Sequence, residues 1–359
     1  MKELSKRERV ERTLNLQAVD RVAIHDQVSF NPDVISYYTG KKIDDFNYSV
    51  EDICQVIRKT LDMTFMPSAP KGRKRWVDEY GITYQNDNWT TWTLIPPNIT
   101  EEKLKKIICD KIKIFKKENL KNFENEYKER IFRIKNLIGD DTVIYDFCTT
   151  VGLCELWNHG FIEPLTYLIY DEPELIQEYF EVRTAFEISK AEIIGRLKLY
   201  PVILIPDDLA SKTGPIFAPE VLKKYFFPYL KKQVDVWHSF GIKVIYHSDG
   251  NYKILIDEFI KCGVDGFYCL EPSCGMDIVE LKNKYPNFIW AGGVDGVDLM
   301  ERGSVFEVEK EVKRQIYQTD ALNKGGIFIG TSSEVNPMIK YENFVKMVET
   351  AKSIKNEKI

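Results

Sequence analysis

The segment Gly241–Asn251, which reads GIKVIYHSDGN, determines the fold that we expect for this chain. Its β-branched and aromatic residues predict a buried strand, and this strand runs directly into His247, Asp249 and Asn251. Gly250 permits the sharp turn that such a loop needs. Polar groups at the carboxyl end of a buried strand are typical of parallel α/β enzymes. The segment therefore predicts a functional loop, although a structural histidine followed by an ordinary turn would give the same pattern.

Seven more strand-like segments alternate with helical segments along the chain. The eight predicted strands lie near residues 22, 61, 142, 202, 243, 266, 288 and 327. Such alternation implies parallel pairing with right-handed crossovers, and eight units predict a closed (β/α)8 barrel, or TIM barrel. Because no repeat, low-complexity tract or linker interrupts the pattern, we expect a single domain over residues 1–359.

Three of the helical segments have informative sequences. Asn31-Pro32 and Gly40 are typical helix start and stop signals. Apolar residues spaced three and four apart predict an amphipathic helix over residues 118–138. The segment 219–240 contains Pro228, which should kink its helix.

Residues 73–97 depart from the strand–helix alternation. Aromatic and polar residues alternate there around Gly81 and the turn residues 86–88, which predicts an antiparallel hairpin inserted between two barrel units. Its tryptophans are expected either to cover the pocket mouth or a partner surface, or to pack against the barrel rim.

The composition excludes several classes of protein. The chain has 359 residues, of which 44% are hydrophobic and 29% charged, and no apolar run approaches a membrane span. Its first residues lack the apolar core of a signal peptide, so we expect a cytoplasmic protein that binds no membrane. A net charge of -5 does not indicate nucleic-acid binding. The seven cysteines include no Cys-x-x-Cys pair and are expected to be reduced and mostly buried.

The strand ends of a TIM barrel meet at one rim, and the residues predicted there are mostly acidic. The residues that we expect to carry chemistry are His247, Asp249, Asp207 and Asp146, and those expected to bind substrate are His25, Asp208, Asn251, Glu271 and Asp295. Crowded carboxylates raise one another's pKa, which suits general acid catalysis, or else they hold a cation. Each carboxylate could instead serve as a helix cap.

Several motifs together make the chain resemble the uroporphyrinogen decarboxylase superfamily over nearly its whole length. They are Arg7–Val10 with Asp20–Val22, Asp207–Pro228, His247–Asn251, Glu271–Ile278, Gly292–Asp295 and Tyr341–Asn343. Members of this superfamily are (β/α)8 barrels and include decarboxylases of the porphyrin pathway and methyltransferases that serve corrinoid proteins. The resemblance implies this fold and an activity of one of these kinds.

Two departures argue against uroporphyrinogen decarboxylase activity itself. The true decarboxylases carry an arginine pair just after the first strand, where this chain has His25-Asp26, and a late glycine-histidine-glycine, where it has residues 330–333. A porphyrinogen with its many carboxylates would meet acid here instead of guanidinium. We therefore expect a different substrate.

The coenzyme M methyltransferases of the superfamily hold zinc through a His-x-Cys motif and a late cysteine. This chain has His247-Ser248-Asp249 in place of the first motif, and Glu334 follows two serines in the region of the second. The resemblance therefore implies a metal site of His247, Asp249 and Glu334, in which zinc would be held less tightly than by thiolates.

With these departures, the resemblance implies a methyltransferase that acts at the donor end of the pathway. Such an enzyme moves a methyl group from a methyl ether or methylamine to a corrinoid, as in O-demethylation. The chain has no cobalamin-binding Asp-x-His-x-x-Gly motif, so the cobalamin would be carried by a separate corrinoid protein. Decarboxylation of a small carboxylic acid is the alternative activity. A non-catalytic scaffold is disfavoured because so many ionisable groups at one rim are costly.

Overall fold

The computed structural model describes residues 3–94, 99–158 and 160–358. The strands in this part of the chain are β1 (Ala23–Asp26), β2 (Met63–Phe65), β3 (Arg73–Val77), β4 (Thr83–Asp87), β5 (Thr91–Leu94), β6 (Val143–Tyr145), β7 (Val202–Pro206), β8 (Ala210–Ser211), β9 (Gly214–Pro215), β10 (Lys243–His247), β11 (Gly266–Tyr268), β12 (Ile289–Ala291) and β13 (Ile327–Ile329).

The α-helices are α1 (Lys6–Leu14), α2 (Pro32–Thr39), α3 (Val50–Thr60), α4 (Glu101–Lys117), α5 (Phe123–Ile138), α6 (Cys154–Trp157), α7 (Ile162–Asp171), α8 (Pro173–Arg196), α9 (Pro219–Tyr225), α10 (Phe227–Ser239), α11 (Ile256–Lys261), α12 (Ile278–Lys284), α13 (Val305–Gln318), α14 (Ala321–Lys324) and α15 (Tyr341–Ser353). Short 3-10 turns cover Lys253–Leu255 and Pro272–Cys274, and a π-helical turn covers Gly296–Glu301. None of the described helices is both long and apolar enough to cross a bilayer.

Eight strands form one parallel sheet in the order β6-β2-β1-β13-β12-β11-β10-β7. The two end strands also meet, because the amide of Leu204 donates to the carbonyl of Asp146 at 3.3 Å and Phe147 forms a parallel bridge with Leu204. The sheet is therefore a closed barrel surrounded by helices. All eight predicted strands and the predicted (β/α)8 architecture are confirmed.

Successive residues of each barrel strand face opposite sides of the sheet. One set fills the barrel interior, namely Ala23, Met63, Phe65, Val143, Tyr145, Val202, Leu204, Ile245, Tyr268, Ile289, Ala291 and Phe328. Val10 and Leu14 of α1 join this interior cluster and cover the amino-terminal end of the barrel. The alternate set, which includes Ile203 and Val244, packs against the helices.

The segment inserted after β2 is antiparallel, as predicted, but it has three strands instead of two. Strand β4 lies in the middle and pairs with β3 on one side and β5 on the other. Residues 95–97 of the predicted hairpin lie outside the described residues. Trp92 is 49% exposed, and Trp76 is 36% exposed and stacks on Tyr84, so both alternative roles of the tryptophans stay predictions.

The predicted helix boundaries are mostly confirmed. Helix α2 begins at Pro32 and ends before Gly40, whose φ of 72° lies in the left-handed region. The chain between residues 219 and 240 forms two helices that separate at Phe226, two residues before Pro228. Helix α5 begins at Phe123, later than predicted, since the chain before it forms α4 and a short connection.

A buried ion-pair network ties α1 to the first two barrel strands. Asp62, which is fully buried just before β2, contacts the guanidinium of Arg9 at 2.8 Å and that of Arg21 at 2.7 Å. Arg9 also contacts Asp20 at 2.8 Å, and the amide of Ile24 in β1 donates to Asp62. This network joins the two sequence segments around Arg9 and Asp20 to each other and to the start of β1 and β2.

Replacing Asp62 should therefore cost much of the stability of the fold. We expect Asp62→Asn to lower the free energy of unfolding by about 3–5 kcal/mol, because two buried guanidinium groups lose the charge that compensates them. The measurement is urea unfolding followed by circular dichroism. Asp235→Asn is the matched control, since it removes an exposed pair with Lys231 and should cost about 1 kcal/mol or less. Equal losses in the two variants would contradict this account of the network.

Candidate active site

The site lies at the carboxyl end of β10, where His247 is the last residue of the strand. His247 pairs in register with Pro206 of β7 and with Tyr268 of β11. The residues that follow these partners therefore come close to the imidazole. His247 also follows Ile245 by two positions, so its side chain points toward the barrel interior as Ile245 does.

Three side chains form a compact group at this position. They are His247, Asp249 and Cys269, and one ligand atom from each lies within 4.8 Å of the other two. The thiol of Cys269 donates to Oδ1 of Asp249 at 2.7 Å, and Nε2 of His247 is 3.9 Å from the same oxygen. The group offers one nitrogen, one oxygen and one sulfur, a donor set that suits zinc.

Cys269 reaches this group because of its unusual backbone. Its φ of 70° lies in the left-handed region, which is costly for a residue with a side chain. As a result both Tyr268 and Cys269 belong to the interior cluster, although adjacent strand residues normally face opposite sides. Cys269 was not among the residues predicted for the site, because its proximity to His247 follows only from the register of β10 and β11.

The second nitrogen of the imidazole has no partner among the described residues. Nδ1 of His247 is buried without a hydrogen bond, and it lies 3.7 Å from Oδ1 of Asp208, which is too far for a good one. Asp208 instead accepts a bond of 3.0 Å from the amide of Asp249. A buried ring nitrogen without a partner is available to a ligand or a metal ion.

The electrostatics of the rim follow from burial and from the crowding of acids. Burial raises the pKa of Asp208, and the charge of Asp249 raises it further against the opposing effect of His247. The pKa of Glu271 is raised for the same two reasons, burial and then Asp249. Burial also raises the pKa of the Cys269 thiol well above its ordinary value. The rim therefore favours protonated groups or a bound cation, as the sequence predicts.

The loop after His247 is held in place by its own contacts. The amide of Gly250 donates to Oε2 of Glu271 at 2.6 Å, and the amide of Asn251 donates to the carbonyl of Ser211 at 2.8 Å. Gly250 has a φ of 78°, and a Cβ atom there would lie 2.6 Å from the carbonyl oxygen of Ala210. Glycine is required at this position, since the loop passes so close to the β8 backbone.

Two acids from late strands have mainly local partners. Asp295 accepts bonds from the amides of Val297 and Asp298, which caps the π-helical turn. Glu334 accepts a bond of 2.7 Å from the hydroxyl of Ser333. In the described part of the chain, the compact group around His247 contains Cys269 and does not contain Glu334. Cys269 therefore lies beside His247 and Asp249, where Glu334 was expected.

Asp207 and Asp146 face the helix layer. Asp207 lies two positions after Ile205 and faces outward as Ile205 does. Its carboxylate oxygens accept hydrogen bonds from the amides of Gly152 and Cys154. Burial raises its pKa to about 6. Asp146 is paired with Arg130 of α5. Because both carboxylates bind these partners, neither belongs to the group around His247, although both residues were expected to be catalytic.

His25 lies beneath the site and not on its surface. It is fully buried, its Nε2 shares a hydrogen bond of 2.5 Å with the hydroxyl of Tyr145, and its ring meets that of Tyr268 edge-on at 4.8 Å. Burial lowers the pKa of His25 to about 3, so the imidazole is neutral. Tyr268 also lies 5.5 Å from the ring of His247 and therefore separates the two histidines.

The seven cysteines are free thiols, and four of them are buried, as expected. The fold and the rim together define a (β/α)8 barrel with a polar site at the carboxyl ends of its strands. A family model described as uroporphyrinogen decarboxylase (URO-D) matches residues 163–354, which is more than half of the chain. The protein belongs to the uroporphyrinogen decarboxylase family.

Comparison with solved structures agrees with this fold. A methyltransferase from Methanosarcina mazei superposes with a TM-score of 0.67 at 15% identity, over 98% of this chain and 99% of that chain. A GH18 chitinase, ChiB, from Flavobacterium johnsoniae gives a TM-score of 0.38 at 9% identity, over 93% and 95% of the two chains. The first similarity supports the barrel fold, and the second is too low to support any argument. No curated protein sequence matches the chain.

A buried acid below the rim gives a prediction about pH. Asp26 is fully buried, and burial raises its pKa to about 7 although Thr331 and Gln27 donate bonds to it. The folded state holds this proton more tightly than the unfolded state, so the free energy of unfolding should fall as the pH rises from about 4 to about 7. We expect Asp26→Asn to make this fall smaller by about 2 kcal/mol between pH 5 and pH 8.

The measurement is urea unfolding at both pH values. Asp298→Asn, which changes an exposed carboxyl group, is the control and should keep the wild-type dependence. A fall of wild-type size in Asp26→Asn would show that Asp26 does not hold the proton.

Proposed function

We propose that the protein is a methyltransferase that transfers a methyl group from a small methyl ether or methylamine to a separate corrinoid protein. The observation that carries the proposal is the group of His247, Asp249 and Cys269 at the barrel rim. Membership in the uroporphyrinogen decarboxylase family supports an enzymatic role. The Methanosarcina mazei protein, which has the same fold over its whole length, is a methyltransferase, and this makes methyl transfer the activity to test first.

The same group is suited to hold a metal ion, with zinc as the best candidate. Imidazole nitrogen, carboxylate oxygen and thiolate sulfur are its common ligands, and three protein ligands leave room for a substrate atom. The strained backbone of Cys269, which brings its thiol to Asp249 beside Nε2 of His247, supports a site arranged for a ligand. We assign the ligand roles to His247, Asp249 and Cys269, with Cys269 in the place that we first expected for Glu334. A bound zinc ion would act as a Lewis acid toward the leaving group.

For methyl transfer to occur, residues of this chain must stabilise the oxygen or nitrogen atom of the donor that loses the methyl group. The corrinoid supplies the reduced cobalt that accepts the methyl group, and the methyl carbon separates from the donor's oxygen or nitrogen. That atom then needs a proton or a positive charge beside it. Asp208 is suited to hold this proton, because its raised pKa keeps the carboxyl protonated closer to neutral pH. The amide of Asp249 donates to Oδ1 of Asp208 at 3.0 Å and can orient the carboxyl group.

The surroundings of His247 also suggest how a donor would bind. Tyr268 presents its ring 5.5 Å from that of His247, which offers an apolar surface to the methyl-bearing part of a substrate. Asn251 and Glu271 lie on the neighbouring loops and provide polar groups at the edge. The carboxylates of Asp208, Asp249 and Glu271 would repel a substrate rich in carboxylates, which favours an ether or an amine.

Substitution of the two central residues should abolish methyl transfer. We expect His247→Ala and Asp249→Ala each to reduce the rate at least about 100-fold. The rate is measured from the absorbance change of a reduced corrinoid protein in the presence of methyl ethers and methylamines. His238→Ala is the matched control, because His238 is half-exposed and pairs with Asp265 near the start of β10, and it should keep the wild-type rate.

Full methyl-transfer rates in both site variants would contradict the proposal. Release of carbon dioxide from small carboxylic acids, without methylation of the corrinoid, would assign the alternative decarboxylase activity instead.

The metal assignment has its own test. We expect the purified protein to bind zinc in an approximately equimolar amount, and Cys269→Ser to weaken this binding at least about 100-fold, because a hydroxyl is a much poorer ligand than a thiolate. Competition with a chromophoric chelator measures the affinity. Cys109→Ser is the control, since Cys109 lies on α4 outside the barrel. Unchanged affinity in Cys269→Ser would exclude Cys269 as a ligand.

A further inference from the structure

The loop after β10 contains a buried hydroxyl group that the proposed mechanism does not use. Tyr252 follows Asn251 and is 0% exposed, and its hydroxyl has no hydrogen-bond partner among the described residues. Such a group costs free energy, because it has lost its bonds to water and gained none in return. Most buried polar groups in proteins do have a partner. An acceptor that becomes available when the site binds its ligand would remove this cost.

The ring of Tyr252 is fixed against the two strands that carry the group around His247. It stacks on Phe267 of β11 with the ring centroids 6.0 Å apart, and it lies edge-on to Tyr246 of β10 at 6.4 Å. All three rings belong to the core between the barrel and its helices. Tyr246 directly precedes His247, and Phe267 lies two residues before Cys269. The side chain is therefore held immediately outside the site.

The electrostatic surroundings of Tyr252 come from the site itself. Burial raises the pKa of Tyr252 well above its ordinary value, and the neighbouring groups that raise it further are Cys269, then Asp249, then Glu271. Electrostatic effects decrease with distance, and the effect of Cys269 is the largest of the three. The sulfur of Cys269 is therefore the best candidate acceptor for the hydroxyl.

The hydrogen on the sulfur explains why this acceptor is not used by Tyr252 in the thiol form. The thiol of Cys269 is itself a donor and gives its hydrogen to Oδ1 of Asp249 at 2.7 Å. A thiol sulfur is only a weak acceptor. A cysteine that binds a metal ion releases its proton to solvent, and its sulfur then carries a negative charge that attracts O–H donors. Tyr252 is suited to this second form of the sulfur.

We propose that the hydroxyl of Tyr252 donates a hydrogen bond to the sulfur of Cys269 when Cys269 binds a metal ion. This inference rests on the metal site assigned under the proposed function and adds an outer partner to one of its ligands. Tyr252 is then a positioning residue, because it acts on the metal through Cys269. Outer partners of this kind orient the ligands of a metal and strengthen its binding.

Removal of the hydroxyl should have different effects on the metal-free protein and on metal binding. We expect Tyr252→Phe to keep or raise the midpoint of thermal unfolding after treatment with a chelator, because the variant loses a buried hydroxyl that has no partner. The same variant should bind zinc about 10- to 100-fold more weakly than the wild type. Competition with a chromophoric chelator measures this affinity.

The matched control is Tyr225→Phe. The hydroxyl of Tyr225 is also buried without a partner in the part of the chain that the structure describes, but it lies on α9, where its ring packs near Phe180 of α8. This variant should resemble Tyr252→Phe in the metal-free protein and should bind zinc with wild-type affinity. Equal zinc affinities in the two variants would refute the role of Tyr252 and leave the metal site in place.

Cobalt(II) in place of zinc reports on the sulfur itself, because charge transfer from a thiolate to cobalt gives an absorption band in the near ultraviolet. We expect this band to move to longer wavelength in Tyr252→Phe, since a sulfur that has lost a hydrogen bond gives up electron density more easily. The band should stay in place in Tyr225→Phe. Weaker metal binding with an unmoved band would assign the hydroxyl to a different ligand and would overturn the inference.

Failure of the metal site itself would give a distinct result. A wild-type protein that binds neither zinc nor cobalt would refute the metal assignment, and the inference with it. Wild-type affinity in Cys269→Ser would do the same, because Tyr252 would then have no ligand to act on. If Cys269 is a ligand, Tyr252→Phe should cause no further loss of affinity in the Cys269→Ser background.

Discussion

Closure of the parallel sheet is the constraint on which the rest of the structure depends. The contact between β6 and β7 joins the two ends of the sheet. Because all eight strands are parallel, their carboxyl ends then form one closed rim. The register of β10 with its neighbours sets the details, because it places His247 beside Tyr268 and Pro206. Asp208 and Cys269 come to the imidazole as the residues that follow these partners.

The fold could be predicted from the sequence because its signals are local. The barrel strands are short apolar runs, most of which end in a polar residue or a glycine, and eight such runs alternate with helices. The ends of helices were harder to predict where two helices follow one another in the sequence. Helix α5 begins after a short connection from α4, and a single amphipathic pattern does not show where one helix ends. The third strand of the insert was missed for a similar reason, since its strands read as one aromatic alternation.

The site was harder to predict because it depends on which way each side chain points. Asp207 and Asp208 are adjacent in sequence, yet in extended backbone they face opposite sides. Asp208 faces His247, and Asp207 holds the loop at Gly152 and Cys154. Cys269 shows the opposite case. Its left-handed backbone places it on the same side as its neighbour Tyr268, and sequence spacing gives no sign of this.

The acids at the rim impose a condition on any ligand of this site. Asp208 and Glu271 both have a raised pKa, and the charge of Asp249 contributes to each. A bound cation or a cationic donor would relieve this crowding, whereas an anionic substrate would increase it. The buried Nδ1 of His247 adds a nitrogen that lacks a partner in the described structure. The group of Asp249 and Cys269 faces the other ring nitrogen, Nε2, so a cation bound there would relieve the acids and would leave Nδ1, on the side of Asp208, to a polar atom of a ligand.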